Sequence, residues 1–126
     1  MSELINPPEL PKPAGFSHAV RAGDTVHLAG QIGAGETLVA QFDAAAANLV
    51  TALRAAGGEP DDLVSLQVFT TAVAEYRDSL PDLARVWQAH FGRRYPAMGL
   101  FGVTELFDPA AKVELMGVAV LSRGDR

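Results

Sequence analysis

The sequence predicts a single α+β domain over residues 1–126 with the element order ββαβαββ, a mixed sheet with two helices on one face. Three observations predict this fold class. Two stretches repeat apolar residues at helical spacing, the stretches around them alternate apolar and polar residues as strands do, and the last strand pattern is apolar on both faces. A chain of 126 residues has the length of one domain and can bury a core of its own.

An extended arm and a β-hairpin are predicted for the first part of the chain, residues 1–35. Residues 1–15 should form an extended arm without regular helix, because proline opposes helix at four positions: Pro7, Pro8, Pro11 and Pro13. Strand patterns follow at residues 16–20 and 25–29, and the segment between them contains Gly23, which suits a β-hairpin. Residues 30–35 are predicted to be a flexible loop whose glycines lack the spacing of a dinucleotide-binding loop.

Two helices and a strand are predicted in the middle of the chain. Apolar residues recur at steps of three and four over residues 41–56, and Gly57-Gly58 follows as a stop signal. Residues 63–71 alternate as a strand. A second helix is predicted over residues 79–91, with Ser79 as its N-cap and an apolar stripe made of Leu80, Leu83, Ala84, Trp87 and Phe91.

The last two strands are predicted over residues 98–103 and 112–121, and we expect them to pair with each other and to hold a site. Gly99 and Gly102 suggest a bulge, or another backbone passing close to the first of these strands. Two helices can cover only one face of the sheet. The second apolar face of the last strand therefore predicts a partner subunit.

Composition excludes several classes of function. The net charge of −5 disfavours a nucleic-acid partner. No apolar run approaches the length of a membrane span, and the first residues lack a secretory pattern, so we expect a cytoplasmic protein with no membrane partner. The chain has no cysteine, and its histidines lack metal-ligand spacing, so no metal and no cofactor are predicted.

Short blocks of the sequence resemble, in order, the Rid (reactive intermediate deaminase) superfamily over about residues 12–121. The blocks are residues 14–20, residues 28–32, Asn48, residues 55–57, Val68-Phe69, Tyr95-Pro96-Ala97 and Val113-Glu114-Leu115. The resemblance implies a chorismate-mutase-like fold assembled as a homotrimer. It also implies a small-molecule ligand in clefts between neighbouring subunits.

The sequence departs from the deaminating members of this family at the implied cleft. Those members carry an arginine after the Pro-Ala pair, where this chain has Met98, and a guanidinium can bind a carboxylate through two charge-assisted hydrogen bonds. Phe16 replaces a tyrosine and Ala29 replaces a common serine, whereas Gly30 and Glu114 match. The resemblance thus implies a subgroup that lacks the catalytic arginine and has a less polar cleft, lined by Phe16, Ala29, Gly30, Met98 and Leu100.

Several alternatives stay open from the sequence. In the related deaminases the carboxylate at the position of Glu114 is thought to position or activate water, but Glu114 could equally be structural. In an apolar cleft, desolvation should raise the pKa of Glu114.

His18 is a candidate acid or base, and the alternative is a strand histidine that only makes hydrogen bonds. The chain could hydrolyse an imine or enamine, or only bind a ligand, or have a pocket filled by side chains. An endoribonuclease activity is a further possibility, which the acidic charge opposes.

Overall fold

One six-stranded sheet carries the fold in the computed structural model, which describes residues 2–122. Its strands are β1 (Ser2–Ile5), β2 (Ala19–Ala22), β3 (Thr25–Gln31), β4 (Leu63–Thr70), β5 (Ala97–Gly102) and β6 (Val113–Val120). They lie in the order β1-β2-β3-β6-β4-β5. Only β4 and β5 are parallel, and the other neighbouring pairs are antiparallel. The predicted α+β fold with a mixed sheet is confirmed.

The helices lie on one face of this sheet. They are α1 (Leu38–Ala55), α2 (Val73–Asp78) and α3 (Leu80–Phe91), and a 3-10 turn spans Pro60–Asp62. Helix α1 begins earlier than predicted because the Thr37 hydroxyl accepts a hydrogen bond from the Ala40 amide at 3.1 Å. Ser79 precedes α3 as expected but does not cap it, since its hydroxyl donates to the Glu75 carbonyl at 2.7 Å.

Two elements, β1 and α2, were not predicted, and several boundaries differ from the prediction. Strand β1 lies within the predicted arm and pairs with β2, and α2 was not predicted at all. The hairpin of β2 and β3 is confirmed, and Gly23 takes φ 63° in its turn. The predicted loop at residues 30–35 begins too early, because Gly30 and Gln31 belong to β3.

The expected pairing of the last two strands is wrong. Strand β4 lies between β5 and β6 and pairs with both. The register of β4 with β5 is continuous, so Gly99 and Gly102 mark no bulge. Side chains crowd these glycines instead, since an added Cβ would lie 2.8 Å from the Phe101 ring at Gly99 and 2.8 Å from Val73 Cγ2 at Gly102.

Strand β6 separates the core from the open face of the sheet. Val113, Leu115 and Ala119 are fully buried beneath the helices. The alternate side chains face away from the helices, and among them Met116 and Val120 are 39% and 45% exposed. On the same face Phe101 is 49% exposed and stacks on Phe69 with 5.7 Å between ring centroids. The chain therefore presents an uncovered apolar sheet face, as the sequence predicted.

The buried amide of Gln41 links α1 to two loops. Its Nε2 donates to the carbonyls of Gly35 and Ala110 at 3.1 and 3.0 Å. Its Oε1 accepts from the Lys112 amide at 2.7 Å. One side chain thus fixes the segment after β3 and the segment before β6 against the same helix.

We predict that Gln41→Ala lowers the free energy of unfolding by on the order of 3 kcal/mol, because the three partly buried hydrogen bonds of the Gln41 side chain are lost. The exposed Gln88 on α3 provides the matched control, and Gln88→Ala should change stability by less than about 0.5 kcal/mol. Urea denaturation of both variants measures the difference. Equal effects of the two substitutions would contradict the proposed role of Gln41.

Candidate functional site

The carboxylate of Glu114 lies directly over the backbone of Gly30. Glu114 is on β6, half-buried, on the face of the sheet that the helices do not cover. A Cβ atom added at Gly30 would stand 1.8 Å from Glu114 Oε2. Residue 30 must therefore be glycine for the carboxylate to occupy this position.

Glu114 and Gly30 border a cavity of about 400 Å³. Most of the other lining residues are apolar: Ala14, Phe16, Ile32 and Phe107, together with Asp108. Within residues 2–122 the Glu114 carboxylate has no hydrogen-bond or ion-pair partner. Burial raises the pKa of Glu114, as the sequence analysis expected for an apolar cleft. The raised pKa makes this carboxylate a stronger base than an exposed glutamate.

Both ring nitrogens of His18 bind other parts of the protein. Nε2 lies 2.7 Å from the Pro11 carbonyl oxygen, and Nδ1 lies 3.0 Å from Gln31 Nε2. The carbonyl can only accept, so Nε2 carries the proton and Nδ1 accepts from the Gln31 amide. The ring borders a neighbouring cavity of about 340 Å³ that also includes Phe16 and Gly30. In the single chain His18 fastens the segment before β2 to β3, and neither nitrogen is free for proton transfer.

Ala29 lies beside this site without lining either of these cavities. It is half-buried on β3, and its amide donates to the His18 carbonyl at 2.9 Å. Phe16 does line both cavities and is 52% exposed. Phe16, Gly30 and Glu114 therefore line the same cavity, and Ala29 precedes Gly30 on β3 without lining it.

Met98 and Leu100 lie in a different place. Their partners across β4 are Leu66 and Val68, which are buried beneath the helices, so both side chains lie on the helix-covered face. They line a cavity of about 380 Å³ together with Tyr76, Arg77 and Leu80 of α2 and α3. A smaller cavity of about 170 Å³ also borders Met98 and ends at Trp87 and Tyr95.

The predicted cleft residues thus form two sets on opposite faces of one sheet. The first set contains Glu114, and the second contains Met98 and Leu100. The sheet formed by residues 2–122 separates the two sets, which therefore line different cavities of one chain. A cleft that includes both sets requires two copies of the chain.

Two residues of α2 that line the second cavity, Tyr76 and Arg77, were not predicted from the sequence. Burial raises the pKa of Tyr76, which contacts the Phe42 ring edge-on at 6.3 Å between centroids. Of the described residues that line the two cavities beside Met98, Arg77 alone carries a positive charge. A six-residue helix leaves no repeated apolar stripe, so neither residue had a pattern to place it.

Two further findings concern metal binding and membrane-spanning helices. No three of the His, Asp and Glu side chains in residues 2–122 cluster so as to hold a metal ion. No helix in this part of the chain is long and apolar enough to cross a membrane.

Comparison with known proteins gives consistent matches along the chain. A protein-family model described as Endoribonuclease L-PSP matches residues 8–121. A protein of Dermatophagoides farinae named 2-iminobutanoate/2-iminopropanoate deaminase is 30% identical, with 94% of this chain and 95% of that protein covered.

Solved structures agree with this match. A member of the YjgF/YER057c/UK114 family from Mycobacterium tuberculosis superposes with a TM-score of 0.82 at 28% identity, covering 96% of this chain and all of the other. RidA from an Antarctic Psychrobacter gives a TM-score of 0.83 at 26% identity, covering 94% and 99% of the two chains.

We predict that Glu114→Gln stabilises the protein at neutral pH. The folded-state pKa of Glu114 lies above its unfolded value, so folding favours the neutral carboxyl group. The penalty is absent below the unfolded pKa and develops as the pH rises through the folded pKa. Thermal unfolding at a fixed protein concentration should therefore show a gain for Glu114→Gln at pH 7 that disappears near pH 3.5.

The exposed Glu105, on the loop before β6, provides the control. Glu105→Gln should show no gain that grows with pH. A constant difference between Glu114→Gln and the native protein across this pH range would contradict the burial argument.

Proposed function

The chain belongs to the Endoribonuclease L-PSP family, also called the YjgF/Rid family, and from this premise we propose that it binds a small metabolite in clefts between the subunits of a homotrimer and hydrolyses an imine or enamine group there. One observation carries the proposal. The Glu114 carboxylate is half-buried, unpaired within residues 2–122, and seated over Gly30 at the wall of an apolar cavity. The imine deaminase among the relatives supports the reaction class.

The proposed reaction uses Glu114 as base and then as acid. Its carboxylate takes a proton from water while the water oxygen forms a bond to the imine carbon. Through Glu114 that proton passes to the nitrogen, which gives a carbinolamine. The carboxylate then takes the proton of the carbinolamine hydroxyl and transfers it to the amine, the carbon–nitrogen bond breaks, and a carbonyl compound and ammonia leave. For an enamine, protonated Glu114 first delivers a proton to carbon to give an iminium ion, which returns a proton from its nitrogen to the carboxylate to give the imine. Burial raises the pKa of Glu114, which strengthens its carboxylate as a base.

Two features support the homotrimer. Glu114 and Met98 lie on opposite faces of one sheet, so a cleft that contains both needs a second copy related by a head-to-tail contact. The uncovered sheet face offers apolar surface for that contact, including Phe101, Met116 and Val120. A closed ring of three copies would give three such clefts.

We further propose that Met98 places the chain in a subgroup without the catalytic arginine. Methionine cannot form the two hydrogen bonds that a guanidinium makes with a carboxylate. Losing such a contact in a partly desolvated cleft costs about 2–5 kcal/mol, or roughly thirty- to several-thousand-fold in rate or affinity. The chain should therefore be an inefficient deaminase of 2-iminopropanoate and 2-iminobutanoate.

A second candidate function is non-catalytic binding of a small molecule, with a regulatory or protective role. The apolar wall of the second cavity favours it, because Val68, Leu80, Met98 and Leu100 offer packing surface without reactive groups. Cleavage of RNA is a weaker candidate despite the name of the family, since the net charge is −5.

We predict that Met98→Arg raises the rate of hydrolysis of freshly generated 2-iminopropanoate by at least about thirtyfold. Adding Glu114→Gln to the Met98→Arg variant should lower that rate by about a hundredfold or more, because the base is lost. Ammonia release measures turnover, and light scattering checks that each variant keeps the oligomeric state of the native protein.

High activity of the native protein on 2-iminopropanoate would contradict the role given to Met98. If Glu114→Gln leaves the turnover of Met98→Arg unchanged, Glu114 is not the base.

We also predict that Gly30→Ala slows hydrolysis of the imine that the native protein converts fastest by about ten- to a hundredfold, with little loss of stability. The added methyl group would displace the flexible Glu114 carboxylate and leave the backbone in place. In a Glu114→Gln background the same substitution should cost almost nothing, which a double-mutant cycle measures. An equal loss in both backgrounds would show that Gly30 acts independently of Glu114.

A further inference from the structure

Among residues 2–122, Arg77 is the one cation that lines the cavities beside Met98. It is exposed on α2 and lines the cavity of about 380 Å³ that also contains Met98 and Leu100. In this part of the chain the adjoining cavity of about 170 Å³ has no charged residue in its lining. An anionic group that enters this region therefore meets one positive charge from the described residues, and that charge comes from the helix and not from strand β5.

Arg77 is also unpaired, although acidic side chains lie close in the sequence. Glu75 is already engaged, since its Oε1 binds Lys112 Nζ at 2.9 Å and its Oε2 accepts from the Leu38 amide at 3.0 Å. Asp82 pairs with Arg85. Within residues 2–122 the Arg77 guanidinium makes no hydrogen bond or ion pair, so all its donors are available.

The contacts of Glu75 hold α2 in place. They connect α2 to the first turn of α1 and to Lys112, just before β6. The half-buried ring of Tyr76 packs against Phe42 of α1. The backbone that carries Arg77 is thus held at three points, which limits where its side chain can reach.

The other residues that line this cavity favour an apolar group in the ligand. Val68, Leu80, Met98 and Leu100 are apolar, and Tyr76 offers a ring face. We infer that Arg77 is the carboxylate-binding residue of this cavity, and that the ligand is a monocarboxylic acid whose apolar body packs against Met98 and Leu100.

This inference rests on the proposed function, which makes the cavity part of the cleft. It adds the source of the positive charge and the class of the substrate. The expected substrates are imines or enamines that carry one carboxylate and a larger apolar group than 2-iminopropanoate has. A carboxylate that binds Arg77 on α2 lies at a different place from one that binds an arginine at position 98. The distance from the carboxylate to the reacting carbon should therefore differ, and small 2-imino acids should fit this cleft less well than bulkier acids.

The test uses hexanoate and its uncharged analogue hexanamide, titrated into the native protein and followed by ligand-observed NMR. Native protein should bind hexanoate about tenfold more tightly than hexanamide, because the guanidinium forms charge-assisted hydrogen bonds only with the acid. Arg77→Gln should remove that preference and leave hexanamide binding unchanged. Arg77→Lys should restore part of it.

Arg93→Gln is the matched control, because Arg93 is also exposed and unpaired within residues 2–122 but lines neither cavity. It should keep the native preference for hexanoate. The inference is overturned if the native protein shows no preference, if Arg77→Gln retains it, or if Arg93→Gln loses it equally.

These outcomes are separable from failure of the proposed hydrolysis. If the preference depends on Arg77 but no imine is turned over, the carboxylate site stands and the catalytic proposal fails. If imines with large apolar groups are hydrolysed at equal kcat/KM by native protein and Arg77→Gln, catalysis stands and the role of Arg77 is wrong.

Discussion

Strand β6 lies between β3 and β4, so its side chains must alternate between the helix-covered core and the open face of the sheet. Val113 and Leu115 are fully buried on one side, and Glu114 lies between them on the other. A shift of one residue would place a carboxylate in the core and two apolar side chains outside. The register of β6 with β3 and β4 therefore places Val113 and Leu115 in the core and Glu114 over Gly30. Stability and site geometry both depend on this strand pairing.

The two halves of the proposed cleft differ in how they are held. The central strand fixes the backbone that carries Glu114, and glycine at position 30 leaves room for its carboxylate. Met98 and Leu100 lie on the edge strand, where fewer neighbours restrain them. Residues that select the ligand can therefore change on the edge strand while the backbone under the reacting group stays in place.

Sequence patterns predicted the elements that have a clear period, and missed those that depend on distant contacts. The stripe of α1 and the alternation of β6 were sufficient to predict the fold class, and they correctly indicated an uncovered face. Helix α2 is too short for a stripe and is held through Glu75, whose partners Leu38 and Lys112 are 37 positions away in either direction. The pairing of β5 with β6 was expected because neighbouring strands in sequence often pair, but β4 takes both as partners. The grouping of Phe16, Gly30 and Glu114 followed from the family resemblance, whereas Arg77 had no signal in the sequence.

Strand β6 is central in the sheet but follows every other described strand along the chain. Until it is in place, β1, β2 and β3 form one small sheet and β4 and β5 form another, with no strand to join them. During synthesis on the ribosome the inner edges of both sheets stay unpaired until β6 has left the exit tunnel. Folding of the domain is therefore completed only after residues 113–120 have been made, and until then the two open edges are sites where aggregation can begin.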